Sequence, residues 1–284
     1  SLLGCKEKKD PQPGVKNPPV DSLIYDPQPY NLSVPAYLGK LRLPADNPLT
    51  KEGVALGRML FYEKKLSKDN SISCASCHKQ ELAFSDENKF SKGVGGVLGA
   101  RQSMSLINLV YLDSLFFWDG RSSSLEHQVL FPIEHPLEMN QPMAEAISKL
   151  QSTEIYPGKF YSAFGTTTIT GELIFKAIAQ FERTLVSYNS KFDKSLRGEL
   201  TLTPSEQRGR TLFFTHPVPE SGLRGGNCGD CHSGVLLTDK LFRNNGLEVN
   251  YADKGRMIIT GKSSDMGKFR VPSLRNIALT APYM

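Results

Sequence analysis

The chain has 284 residues, 39% hydrophobic and 22% charged, enough to bury the cores of two ordinary domains and unlike a disordered or fibrous composition. No run of about eighteen apolar residues occurs, so nothing in the sequence spans a membrane as a helix. The net charge of +5 is spread along the chain, and blocks such as residues 6–9 read as solvated tether, so no nucleic-acid partner is expected.

The first five residues, Ser1-Leu2-Leu3-Gly4-Cys5, resemble the end of a bacterial lipoprotein signal peptide, although Leu3 is not the small residue most often seen there. That would make Cys5 a lipid-anchored first residue; otherwise it is a free thiol in a loose tail. Both ends read as incomplete, with no initiator methionine and no closing polar segment after Met284. From residue 6 to about 35 the chain is rich in proline and charge, as in Pro11-Gln12-Pro13 and Pro18-Pro19, which predicts a linker or wrapping arm.

An internal repeat follows. Leu49-Thr50-Lys51-Glu52 leads into Gly57-Arg58-Met59-Leu60-Phe61-Tyr62, and Leu202-Thr203-Pro204-Ser205-Glu206 leads into Gly209-Arg210-Thr211-Leu212-Phe213-Phe214. Thr203 with Glu206 forms a capping box and Pro204 suits the first helical position, so a helix is predicted to open each copy. Each copy precedes a Cys-x-x-Cys-His pentapeptide: Cys74-Ala75-Ser76-Cys77-His78 begins 17 residues after Gly57, and Cys228-Gly229-Asp230-Cys231-His232 begins 19 after Gly209. Two thiols one short turn apart can form thioethers with the two vinyl groups of a haem, and the adjacent imidazole can ligate its iron. CxxC disulfides or a single four-cysteine zinc site are the competing readings, but neither has a use for a histidine after each pair. Two covalently bound c-type haems are therefore expected. Since such haems are attached outside the bacterial cytoplasm, the protein is expected in the periplasm or cell envelope.

Between the motifs, residues 79–126 hold no histidine, and the loop Phe90-Ser91-Lys92-Gly93-Val94-Gly95-Gly96 offers no side chain that binds iron well. The other histidines are His127, His135 and His216. The first haem is thus expected to keep an open far side, which an enzyme needs and a plain electron carrier does not. Residues 171–188 carry Ile174, Ile178, Phe181 and Leu185 on one helical face and predict a core helix of the first domain. The predicted fold class is mainly α, with two tandem c-type cytochrome domains. The tether would cover 1–35, a first haem domain 36–190 and a second haem domain 191–284, with the boundary near 191–199.

Three further stretches stand out: Phe117-Trp118-Asp119-Gly120-Arg121, Gln128 through Pro132-Ile133-Glu134-His135-Pro136-Leu137-Glu138-Met139, and Val271-Pro272-Ser273-Leu274-Arg275-Asn276-Ile277-Ala278-Leu279-Thr280-Ala281-Pro282-Tyr283. With the two haem motifs, they make the chain from about Pro35 onward resemble the bacterial dihaem cytochrome c peroxidases, including their MauG (methylamine-utilisation) branch. The resemblance implies that Trp118, the sole tryptophan, lies between the haems. It also implies that Gln128 and Glu138 stand over the first haem and that Pro132 limits access to its open face. In that setting Glu138 would move the proton that lets water leave on O–O cleavage, and desolvation would raise its pKa. Gln128 would orient the peroxide. A calcium ion is implied between the domains, bound by the main-chain carbonyls of Thr280 and Pro282 and by Gln102, which replaces the family's asparagine with a longer arm.

Two departures from the family matter. The best-known peroxidases carry a histidine in the loop after the first motif that blocks the iron until the other haem is reduced; here that place falls near Val94, so reductive gating is expected to be absent. The far-side ligand of the second haem, methionine in peroxidases and tyrosine in MauG, would fall beyond Met284, and Met266 has no motif support. The resemblance implies hydrogen peroxide reduction with electrons from a small cytochrome c or cupredoxin, and it admits a homodimer. Oxidation of a partner protein, as by MauG, is the alternative, and a non-catalytic dihaem electron carrier is the third reading.

Overall fold

The computed structural model describes residues 24–112 and 114–283; the expected lipid-attachment residue Cys5, residues 1–23 of the tether and Met284 lie outside them. The described chain is mainly α. Its helices are α1 (Lys51–Phe61), α2 (Cys74–Cys77), α3 (Leu125–Glu134), α4 (Met143–Gln151), α5 (Tyr156–Phe164), α6 (Gly171–Arg183), α7 (Lys191–Leu196), α8 (Pro204–Phe214) and α9 (Met257–Thr260). Strands β1 (Phe242–Arg243) and β2 (Phe269–Arg270) pair antiparallel, with Phe242 opposite Arg270. Among the described residues no helix is long and apolar enough to cross a membrane.

The core forms where α1 and α3 pack on α6 and α5 packs on α1. Leu56, Leu60 and Phe61 of α1 meet Ile174, Ala177, Ile178 and Phe181 of α6, with Val129, Ile133 and Phe160 closing the cluster. Each large side chain so buried stabilises the fold by about 1.5–3 kcal/mol. Gly57 permits this packing, because a Cβ there would lie 1.8 Å from the carbonyl oxygen of Ala177. The polar edge is satisfied by a chain of side chains: Gln180 donates to Asn47, Asn47 to Glu126, and Arg183 grips Glu126 with two bonds of 2.7 and 2.9 Å. That bidentate pair fixes α3 against α6.

The capping signals act as the sequence predicts. Thr50 accepts from the Gly53 N–H at the start of α1, and Thr203 and Glu206 form a reciprocal capping box at the start of α8. The helix expected over 171–188 ends earlier, at Arg183. Asn108 is the cause: its backbone N–H donates to Leu185 O at 2.7 Å, its side-chain amide donates to Ser187 O, and its side-chain oxygen accepts from Ser187 N–H. These tertiary bonds claim the backbone groups that a longer helix would have used, although Leu185 still packs on the core.

The arm before the first helix lies along its start, with Tyr30 N–H donating to Leu49 O and Lys51 N–H to Gln28 O. The stretch 191–199 contains α7, opened by a Ser190/Asp193 capping box. Asp193 is fully buried and receives both Nη atoms of Arg275, at 2.9 and 2.7 Å, so a residue near the chain's end is tied to α7. The two copies of the repeat differ in packing. Helix α8 buries no residue, and a Cβ on Gly209 would meet nothing within 4 Å.

Two candidate haem sites

The four cysteines of the motifs are free thiols in two pairs. Among the described residues no three His, Cys, Asp or Glu side chains converge as a metal cage, so the four do not form the single zinc site weighed above. Each pair sits on one short turn, and the histidine after it is clamped in the same way. His78 N–H donates to Cys74 O and His232 N–H to Cys228 O. His78 Nδ1 bonds Phe84 O at 3.0 Å, and His232 Nδ1 bonds Leu237 O at 3.2 Å. With Nδ1 spent on a carbonyl, Nε2 is the nitrogen left for iron. Both carbonyls come from residues with positive φ, 55° at Phe84 and 53° at Leu237, a conformation that apolar residues seldom adopt.

Around the first motif the chain leaves a cleft enclosing about 1440 Å³ of empty space out to its open mouth. Cys74, Cys77, His78, Gln102, Trp118, Gln128, Pro132 and Glu138 all line it, so the structure brings these sequence-selected residues together. The remaining two calcium candidates, Thr280 and Pro282, do not line it and lie in the C-terminal segment. Gln102 donates through its side-chain nitrogen to Asp86 O at 2.7 Å.

The distal side is built by α3 and the turn after it. Gln128, Pro132 and His135 fall on one helical face by their spacing. Pro132 lacks the N–H that would bond Gln128 O four residues back. Its own carbonyl accepts from Met139 N–H at 3.0 Å, while Glu138 N–H donates to His135 O, and these bonds fold Glu138 back beside the α3 face. The loop carrying Val94 docks on the same turn, with Val94 N–H donating to Glu138 O at 2.8 Å. Gly93 makes this possible, since a Cβ there would lie 2.2 Å from Leu137 O and 2.7 Å from Glu138 O. Desolvation raises the Glu138 pKa above the ordinary carboxylate value, and His135 and Arg121 oppose the rise. The side chain keeps 41% of its exposure, its Oε1 3.8 Å from His135 Nδ1.

A second rim is the loop carrying Trp118, which packs on α3 through Phe117 and Phe131. Asp119 is buried and accepts from both Arg101 and Arg121, and the Arg121 guanidinium lies 3.6 Å from the centre of the Phe117 ring. Trp118 donates its indole N–H to Gln102 O at 3.0 Å, and its carbonyl accepts from Arg270 N–H at 2.7 Å. The tryptophan therefore joins the first haem's cleft to strand β2 of the C-terminal half.

The cleft fits a haem. Burial pushes the Cys77 thiol up to about 11 and Cys74 higher still, so both are neutral thiols, suited to uncharged thioethers rather than to thiolate ligands. Desolvation lowers the His78 pKa and keeps its imidazole neutral. Glu182 also lines the cleft; burial pushes its carboxyl up to about 8, and its Oε2 has no partner. At the second motif, Gly226 N–H donates to Leu212 O, and Leu212 and Phe214 of α8 stay 43% and 45% exposed beside the cysteines. An uncovered apolar face next to a CxxCH turn is what a large apolar macrocycle would cover. Glu182, the two histidine clamps and Arg270 escaped the sequence reading. Arg270 had a faint signal, standing one residue before the Val271–Tyr283 motif.

Comparison with known proteins follows the same lines. The family model for di-haem cytochrome c peroxidase matches residues 51–201. Methylamine utilization protein MauG of Methylophilus methylotrophus is 34% identical over 242 residues, covering 85% of this chain and 70% of that protein. Cytochrome c peroxidase Ccp of Escherichia coli (strain K12) is 37% identical over 258 residues, and the match covers 85% of this chain and 51% of that protein, about half its length. A crystal structure of a MauG-like protein associated with microbial copper homeostasis superposes with a TM-score of 0.81 at 36% identity, covering 90% of this chain and 78% of that one.

Proposed function

The chain belongs to the di-haem cytochrome c peroxidase family, and on that premise we propose that it reduces hydrogen peroxide to water with electrons from a small redox protein. The observation that carries this reading is the cleft, where His78, Gln128 and Glu138, a glutamate of raised pKa, meet beside the sole tryptophan. Cys74 and Cys77 would hold one haem covalently with His78 on its iron, and Cys228, Cys231 and His232 would hold the other. A haem iron bound there would supply the redox chemistry for opening the O–O bond.

The chain's own groups do the rest. Glu138 would take a proton from one peroxide oxygen and return it to the departing one, so that water leaves rather than hydroxide. Its raised pKa suits a group that must both accept and release a proton. Gln128 orients the peroxide by hydrogen bonding, and Pro132 narrows the entrance. Trp118 is the relay from the second haem, held by its bonds to Gln102 and Arg270. Two electrons and two protons per peroxide give two waters. The electron donor is a small cytochrome c or cupredoxin outside the cytoplasm. A calcium ion on Gln102 and the carbonyls of Thr280 and Pro282 belongs to this proposal on the strength of the resemblance.

A second reading, oxidation of a partner protein as by MauG, is favoured by the loop at Val94, which carries no histidine and is docked on Glu138. Stopped-flow mixing of haem-loaded protein with peroxide, with and without reduced cytochrome c, separates the readings. Rapid reaction with two donor equivalents oxidised per peroxide is expected. Peroxide reaction without donor oxidation would favour the partner-protein reading, and no reaction with peroxide would leave an electron carrier.

A further inference from the structure

Three arginines line the first cleft: Arg101, Arg121 and Arg270. Arg101 is paired with Asp119 and Asp253, and Arg121 with Asp119. Arg270 is different. It is 6% exposed and comes from strand β2, in the C-terminal half of the chain. Its Nη1 donates to Lys240 O at 2.8 Å, and its Nη2 donates to Ser114 O at 3.2 Å and to Leu115 O. Its Nε is occluded and has no hydrogen-bond partner among the described residues. Among the described residues no carboxylate hydrogen-bonds to it, and Asp239, the carboxylate whose charge it feels, is engaged by Arg243 and by Leu241 N–H. The Arg270 guanidinium sits 4.8 Å from the centre of the Phe242 ring, whose neighbourhood already holds the Arg256 guanidinium at 4.1 Å.

A guanidinium cannot shed its charge near neutral pH, and a buried cation without an anion is costly. Carbonyl oxygens satisfy its donors in part but do not neutralise it. Desolvation first, then Arg256, push its pKa down to about 10, the direction expected of a cation that lacks its counter-ion. A haem brings two propionate carboxylates, and a planar fork of N–H donors is the side chain best matched to a carboxylate.

We infer that Arg270 is a binding group for haem, its guanidinium, which lines the first cleft, pairing with a propionate carboxylate of the haem there. The pairing makes the C-terminal half a contributor to the first haem's site. Because the backbone N–H of the same residue holds Trp118 O, the propionate, Arg270 and Trp118 form one connected unit between the halves. A cation at this point also favours the reduced, less positive state of the iron.

The inference rests on the reading that the first cleft holds a haem, which is checked separately by counting haems per chain as the pyridine haemochrome. The test uses the full haem-loaded protein and its R270Q and R270K variants. Resonance Raman reads the propionate bending mode, spectroelectrochemistry the midpoint potential of each haem, and cyanide binding identifies the haem with the open face. In R270Q, with two haems retained, the propionate mode of the cyanide-binding haem is expected to shift and its potential to fall, while the other haem keeps both values. R270K should shift the mode while largely restoring the potential. If R270Q yields no holoprotein, R270K alone decides through the mode. An unchanged mode with full haem content overturns the pairing, as does a change confined to the other haem. Effects that depend on added phosphate would mean that Arg270 binds a free anion, which also overturns it.

Discussion

Replacing Glu138 by glutamine is the sharpest test of the proposed chemistry, because the change preserves shape and removes the proton acceptor. General acid–base groups contribute about 10² to 10⁴ in rate, or about 2.7–5.4 kcal/mol at 1.36 kcal/mol per decade. The structure points to the lower end. His135 also lines the cleft, with Nδ1 3.8 Å from Glu138 Oε1, and Leu137 N–H donates to that Nδ1, so the nitrogen is an acceptor. With Nδ1 occupied by that bond, the Nε2 of His135 is the nitrogen that can take over part of the proton transfer. E138Q should therefore lower the second-order rate constant for peroxide by about 10²-fold, and adding H135A should lower it further. The pH dependence adds a second check. Burial raises the Glu138 pKa against the pull of His135 and Arg121. The rate needs the ionised carboxylate, so it should rise with pH through a limb lying above the ordinary carboxylate value. Removing the Arg121 charge with R121Q should move that limb to higher pH. Stopped-flow rates from about pH 4 to 9, under conditions where the haem count is unchanged, supply both readouts. An E138Q rate within about threefold of the parent, with the same acid limb, would refute the assignment.

Two further substitutions probe what positions the site. G93A would drive a Cβ against the Leu137 and Glu138 carbonyls, at 2.2 and 2.7 Å, so the loop and the Glu138 turn must part. A loss of about 1–3 kcal/mol in urea melts is expected, together with a fall in peroxide rate of up to about 10²-fold if Glu138 shifts by about 1 Å; unchanged kinetics would show that the loop does not hold Glu138. D193N leaves Arg275 buried without its anion and should cost about 3–5 kcal/mol, read as a lower urea midpoint. Burial pushes the Asp193 carboxyl up, but hydrogen bonds from Arg275, Ser190 and Tyr37 outweigh it and hold the folded pKa well below the usual range. Its stabilisation is thus present above about pH 4 and lost as pH falls below that, so acid unfolding should be shallower in D193N; identical acid profiles would count against the pair.

What the sequence made legible depended on how local its cause was. The Thr203/Glu206 capping box and the turn holding each cysteine pair need only neighbouring residues, and both form as read. Gln128, Pro132 and His135 share a face by helical spacing, so their convergence on one cleft was implicit in the numbering. Glu138 needed more, because the Pro132 carbonyl must turn the chain back toward that face. The long-range features were invisible. Nothing near residue 185 announces that Asn108 will end α6, and nothing near Phe84 or Leu237 announces a carbonyl aimed at a histidine ring. Arg270 is the clearest case: its importance lies in having no carboxylate partner among the described residues, and an absent partner leaves no mark in a sequence.

The repeat began as two equivalent units, and the difference between them now has a physical origin. Both copies share the threonine cap and the clamped histidine, which are properties of the short segment itself. What separates them is the chain laid over each. Gly57 lets α1 sit against α6, and α6 in turn holds α3 through Arg183 and Glu126, which places Gln128 and Glu138 above the first motif. The matching Gly209 faces open space, and α8 carries no such shell among the described residues. The two rims of the first cleft also come from different sources. The proton-handling side belongs to α3 and its following turn, while the Trp118 side is bonded through Arg270 to the C-terminal half. In the proposed reaction, protons and electrons therefore reach the first haem through different segments of the chain. The two segments are coupled, because Phe117 packs against Phe131 of α3 with ring centres 5.4 Å apart and Arg121 acts on the Glu138 carboxyl.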